Sequence, residues 1–284
     1  MGELACSDPE NPCLIESFLV SDPPLEQVVS HTLEAGIRGE RILNNGRERL
    51  EWSAGLFRTL NTNDIITVFS PIAGRGVFEN GGDTLRQGIE ANIAYRTDRW
   101  FMYANYAFID ATFESALELP APDNPLASEC ISRGAEGGED DDEGDDDDDE
   151  MRCVFVRPGD RLPGIPQHRF KAGVDYWVTP KWKLGGDLIA VSSQYFFQDD
   201  SNLNPQLPGY WRVDLHTSYD LTPRVQIFGI VNNLFYNHYG VFGTFFNLEA
   251  GNSAASADPA LADDFFSNAR TITPAAAGRR LRGE

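Results

Sequence analysis

Apolar side chains recur at every second position along much of this chain. Over 169–178, Phe170, Ala172, Val174, Tyr176 and Val178 fall on one face, and Arg169, Lys171, Gly173, Asp175 and Trp177 on the other. The same period sets Trp211, Val213, Leu215, Thr217 and Tyr219 opposite Tyr210, Arg212, Asp214, His216 and Ser218. It sets Ile89, Ala91, Ile93 and Tyr95 against Glu90, Asn92 and Arg96, and Leu50, Trp52, Ala54 and Leu56 against Glu51, Ser53 and Gly55. A further stretch places Trp182, Leu184, Leu188 and Ala190 against Lys183, Asp187 and Ser193. A period of two predicts strands with one apolar and one polar face, and helical spacing fits none of these stretches.

The connections alternate in length. Tight turns at Thr97-Asp98, Thr179-Pro180-Lys181 and Thr222-Pro223-Arg224, with a longer one around Asn44-Asn45-Gly46, carry the Pro, Gly, Asn and Asp that turns require. Long polar excursions run between them at about 115–167, 197–208 and 237–271. Short turns at one end and long loops at the other is the layout of an outer-membrane barrel. Keeping every short turn on one side requires 49–69 to be one long strand, kinked near Asn61-Thr62-Asn63, with 77–96 as the next. The expected strands are then roughly 28–38, 49–69, 77–96, 100–114, 169–178, 182–197, 209–221 and 225–236.

Composition narrows the solvent these strands are built for. Hydrophobic residues make up 41% of the 284 residues, and no stretch reaches the roughly 18–20 continuous apolar residues of a membrane helix. A transmembrane barrel passes this test, because alternation hides its lipid face from average hydropathy. Trp52, Trp100, Trp177 and Trp182 lie within a few residues of a short turn, with Tyr95, Tyr176 and Tyr219 at similar depth. Such rings favour the headgroup level, although strict alternation points Trp177 inward. The expected fold class is all-β, an antiparallel transmembrane β-barrel seen in part, with about eight strands of a larger barrel. The alternative is a soluble sandwich whose aromatic residues cap its core.

Charge and cysteines add two expectations. The net charge is −21, and 139–150 is acidic at every position except Gly144. Such a chain is not built for nucleic acid. The run is too dense in like charge to fold alone, which predicts a solvated, disordered loop. Its carboxylates also suit hard cations at the barrel mouth, although the spacing of an EF-hand is absent and no metal ligand set is assigned. Cys6 with Cys13 and Cys130 with Cys153 form local pairs without the CxxC spacing of a zinc site, which predicts disulfides in two loops and an oxidising compartment. The histidines His31, His168, His216 and His238 are scattered and no serine sits in a nucleophile elbow, so no catalytic set and no cofactor are expected.

Several phrases are more specific than their periodicity. They are Thr84-Leu85-Arg86-Gln87-Gly88-Ile89-Glu90, then Tyr103-Ala104-Asn105-Tyr106-Ala107-Phe108 with Asp110-Ala111-Thr112-Phe113. Pro158-Gly159-Asp160-Arg161-Leu162-Pro163-Gly164-Ile165-Pro166 follows, then Val231-Asn232-Asn233-Leu234-Phe235 and Tyr239. In this order, over about residues 28–245, they resemble the C-terminal part of the barrel of TonB-dependent receptors. The resemblance implies a share of a 22-stranded outer-membrane barrel around a plug, taking up a ferric siderophore or a similar scarce ligand with energy from the TonB complex. On this reading 1–27 is an extracellular loop segment and 28–236 a partial barrel carrying the acidic loop at about 115–167. Residues 237–284 are a terminal loop and irregular tail.

The chain departs from the family pattern in its expected boundaries: no plug or TonB-contacting segment precedes the barrel strands, and the tail through Arg279-Arg280-Leu281-Arg282 lacks alternation. A small closed barrel serving as anchor or adhesin, or a nonfunctional truncated receptor, are the competing readings. The inward-facing set Glu90, Asn92, Lys171, Asp175, Asp187, Arg212, Asp214 and His216 is expected to touch a plug or a passing iron chelate, against the plainer reading of wall residues paired across strands. Lipid of the outer membrane is the expected partner of the other face.

Overall fold

The computed structural model describes residues 24–69, 76–131, 152–245 and 270–274. Cys6, Cys13 and the acidic run lie outside them.

In chain order the strands are β1 (Val29–Leu43), β2 (Glu48–Thr62), β3 (Ile65–Phe69), β4 (Gly76–Asn80), β5 (Thr84–Arg96) and β6 (Trp100–Phe113). There follow β7 (Leu117–Pro120), β8 (Ser128–Glu129), β9 (Arg152–Val156), β10 (His168–Thr179) and β11 (Trp182–Val191). The last are β12 (Tyr210–Thr222), β13 (Val225–Val231), β14 (Gly240–Phe245) and β15 (Arg270–Pro274). One eight-stranded sheet runs β1-β2-β5-β6-β10-β11-β12-β13, and every neighbouring pair in it is antiparallel. Among the described residues no ladder joins β1 to β13, so the sheet is an open arc of wall and not a closed eight-stranded barrel.

Alternation decides which way the arc faces. Leu33 is 75% exposed and Ile37 65%, and Leu56, Ile93, Val174, Leu184, Leu188 and Leu215 belong to the same open rows. Rows of this length, bare of any covering sheet, are built for lipid and not for water. The soluble sandwich is excluded on the same ground, since every buried hydrophobic side chain among the described residues sits at the long-loop end and none beneath the sheet. Trp100 pairs with Tyr176 on the outer face near the short turns, ring centroids 4.3 Å apart. Trp182 donates its indole N–H to Thr217 at 3.0 Å. Trp177 instead faces inward beside Lys183, whose Nζ lies 5.9 Å from its ring, and does not join the girdle.

The described parts of the long loops hold more regular structure than their polarity predicts. Asn63 adopts a positive φ of 54°, a conformation asparagine tolerates better than most residues. The chain kinks there and β3–β4 leaves the wall as a separate hairpin. Asp64 holds its base, accepting from Thr84 and from Arg86 Nη1 at 2.8 Å. Burial works against ionisation of Asp64, but these bonds and the Arg86 charge outweigh it and keep the carboxyl below the usual range. Of the excursion at 115–167, the flanks fold into a β7-β9-β8 sheet, stapled by a Cys130–Cys153 disulfide with Cα atoms 5.0 Å apart. Val68, Val77, Phe113, Leu119, Val154, Val156 and Leu162 form one buried cluster between hairpin, sheet and the end of β6. The stretch 192–208 is a structured loop and not a continuation of β11, with Phe196 and Leu207 buried against Phe245. Likewise β14 and β15 pair within a region expected to be irregular, because Phe245 finds that same apolar site.

Candidate functional site on the inner wall

The inner face gathers charge where β6, β10, β11 and β12 run side by side. Asp175 of β10 accepts from Lys183 Nζ at 3.2 Å and meets His216 Nε2 at 2.6 Å. On its other side His216 Nδ1 lies 3.5 Å from Asp187, whose second oxygen accepts from the Tyr103 hydroxyl. Lys171 places its ammonium 5.5 Å from the Tyr103 ring. A continuous chain of polar groups thus crosses four strands.

Two glycines make the crossing possible. Gly185 stands opposite both Asp175 and His216 in the register, and a Cβ there would overlap Asp175 Oδ1 and His216 Nε2. A Cβ on Gly173 would come within 2.5 Å of Asp187 Oδ1 and of the Tyr103 ring. Removing side chains from these positions lets groups on neighbouring strands meet over bare backbone.

Nearer the loops, Arg212 contacts Asp214 at 3.3 Å and reaches the Tyr239 hydroxyl at 3.4 Å. Asp214 also accepts from the Asn233 backbone at 2.8 Å. Tyr239 stacks on Tyr210, centroids 4.2 Å apart, beside a recess of about 240 Å³ lined by Arg169, Ser192, Gln194 and Tyr210. The structure therefore brings Lys171, Asp175, Asp187 and His216 into one network and Arg212 with Asp214 into a second. Glu90 and Asn92 stand apart on β5, Asn92 donating to Ser53 at 3.2 Å. Tyr103, Lys183, Tyr239 and the two glycines were not among the expected contacts. Parity alone placed Lys183 inward, but only the register shows that it meets Asp175.

Truncating Asp175 to alanine removes the partner of both Lys183 and His216. The side chains are partly exposed, so the expected loss is about 1–2 kcal/mol of barrel stability, read as a lower urea midpoint in detergent micelles. An unchanged midpoint would show the network to be incidental.

A second polar knot ties the loops above the wall. Asp199 is fully buried and accepts from the backbones of Leu203 and Asn204, each at 3.0 Å, and from the Asn204 side chain. Asn204 in turn bonds Asn124 at 2.9 Å, joining 192–208 to the cap that β3–β4 and β7-β9-β8 form over the end of β6. Burial, and then the adjacent Asp199 carboxylate, push Asp200 up to about 7. An acid with a raised folded pKa binds more protons folded than unfolded, so the loop loses stability as pH climbs from the ordinary carboxylate range through about 7. Amide protection factors in 197–204, corrected for the intrinsic pH dependence of exchange, should be higher at pH 5 than at pH 8, and Asp200→Asn should abolish the difference. Equal protection in the wild type at both values would refute this.

None of these groups forms a nucleophile with an activating base. Glu118, Cys130 and Cys153 bring ligand atoms within 4.8 Å of one another, but the disulfide occupies both sulfurs and leaves a single carboxylate. Among the described residues the arrangement is a wall of polar side chains paired across neighbouring strands.

The sequence profile of the family described as TonB dependent receptor-like, beta-barrel, matches residues 11–234. The chain belongs to this family. TonB-dependent receptors are receptors and transporters, not enzymes, and their barrels are outer-membrane proteins; this chain is an open part of such a barrel. Among solved structures the copper transporter OprC is similar at 16% identity and a TM-score of 0.51, over 87% of this chain and 29% of that one. The siderophore receptor PiuA from Acinetobacter baumannii is similar at 19% identity and a TM-score of 0.49, over 75% of this chain and 25% of that one. The ferric-catecholate import receptor Fiu from E. coli K12 is similar at 20% identity and 0.46, over 75% and 24%. The chain thus spans about a quarter of the length of PiuA and of Fiu.

Proposed function

We propose that this chain supplies part of the wall of a receptor that takes up a ferric siderophore or a similar scarce ligand across the outer membrane. The observation that carries the reading is the inner network from Tyr103 through Asp187, His216 and Asp175 to Lys183, set in a family of ligand-uptake barrels. A wall that only enclosed apolar filling would not keep so many polar groups on its inner side. Arg169 and Arg212 with the stacked Tyr210 and Tyr239 give the loop-side mouth cationic and aromatic character, which suits an anionic iron chelate. In this reading the inner face meets a plug, and transport draws on the TonB complex. Both are partners of the whole receptor.

The test is uptake of radiolabelled iron by iron-starved cells with and without the gene, offered as catecholate, hydroxamate and citrate complexes, with labelled cobalamin alongside. Deletion is expected to depress uptake of one ligand at least about tenfold, and a protonophore should do the same in the intact strain. Unchanged uptake of all of them would overturn the reading.

A further inference from the structure

Arg58 stands in the outward row of β2, between Leu56 and Leu60, in a place where lipid-facing strands carry apolar residues. Its register partners are Leu33 on β1 and Gln87 on β5, so it is flanked by strands on both sides and its exposure does not come from a sheet edge. Counting from Leu50 to Arg58 at ~3.3 Å per residue and a tilt of ~40° gives a rise of roughly 20 Å, close to the loop-side limit of an apolar band about 25 Å tall.

On the β5 and β6 side the residues at the same level are polar too. Gln87 donates to Asp110 at 3.3 Å, and Gln167 donates to the other oxygen of Asp110 at 3.3 Å. That carboxylate, two strands away from Arg58, is thereby satisfied by amides. Arg58 itself takes part in no ion pair or hydrogen bond among the described residues. His31, opposite Leu60 and so diagonal to Arg58, has none either. An unpaired guanidinium on the lipid face is costly at mid-bilayer and tolerated near the interface, where phosphates are within reach. Its planar fork matches a phosphate in a two-bond geometry.

We propose that Arg58, with His31 beside it, binds the phosphate of an outer-leaflet lipid whose acyl chains lie along Leu33, Leu56 and Ile89. The cation supplies the headgroup contact, and the exposed aliphatic row below it supplies the groove for the chains. The proposal concerns the outer face alone and is independent of the cargo.

The experiment uses the full protein extracted from outer membranes, delipidated in detergent, and offered dipalmitoyl phosphatidic acid or the matching dipalmitoylglycerol, with bound lipid counted by native mass spectrometry. Wild type should retain the phosphorylated lipid at least about fivefold over the neutral one, the factor expected for one interfacial cation. Arg58→Gln should bring the ratio close to one, and Arg58→Lys should keep part of it. Equal retention of both lipids by the wild type, or an unchanged ratio in Arg58→Gln, would overturn the proposal. Displacement of the lipid by millimolar inorganic phosphate would overturn it too, by revealing a site for the free anion. Should Arg58→Gln fail to fold, the wild-type ratio and Arg58→Lys still decide.

Discussion

Replacing Gly88 by alanine is expected to cost about 3 kcal/mol and to reduce sharply the fraction of protein that assembles into the membrane. A methyl group there would overlap the Phe108 carbonyl oxygen and press on the Phe57 ring at 2.9 Å. The obstacle on one side is backbone of the neighbouring strand β6 and cannot rotate away, unlike the side-chain tips that surround Gly173 and Gly185. Phe57 and Gly88 are register partners, so the ring of one lies over the bare backbone of the other and holds β2 against β5. Heat-modified mobility on gels would report the assembled fraction. A Gly88→Ala protein that assembles as well as the wild type would show that β5 and β6 lie farther apart at this point.

Phe113→Ala should have an effect of similar size, confined to the loops. Phe113 is 1% exposed and central to the cluster shared by β3–β4, β7-β9-β8 and the end of β6. Emptying such a site costs about 3–5 kcal/mol. The cap is small, and besides this core it is held by the Cys130–Cys153 staple and the Asn124–Asn204 bond. Protease should therefore cut within 115–131 and 152–167 in the variant and spare them in the wild type, while the barrel strands resist in both. Equal resistance of those segments would mean that the cap does not depend on this core.

The wall was legible in the sequence because the information is local. Alternation in 169–178 or 209–221 needs no knowledge of the rest of the chain, and the kink at Asn63 announced itself through residues that accept turn conformations. The cap was not legible for the opposite reason. Leu119, Val154, Val156 and Leu162 come from short pieces on either side of the acidic run, and their partners Val68 and Val77 lie tens of residues earlier. Arg152-Cys153-Val154-Phe155-Val156 did carry a strand signal in its β-branched residues, overshadowed by the charge beside it. The inner site was half legible. Parity chose the inward residues, but the meeting of Asp175 with Lys183 and His216, and of Tyr103 with Asp187, depends on register and on two glycines, which no single strand reveals.

One face of each wall strand meets lipid and the other an aqueous interior. Trp52 faces outward on β2 and Trp177 inward on β10, which allows this to be tested with two single-tryptophan variants, each retaining one of these rings and carrying phenylalanine at the other tryptophans. In bilayers of brominated lipid, Trp52 fluorescence should be quenched by the bromine and shielded from aqueous acrylamide, and Trp177 should show the reverse. Quenching of both rings by acrylamide alone, with no effect of brominated chains on Trp52, would show that the apolar rows do not face lipid.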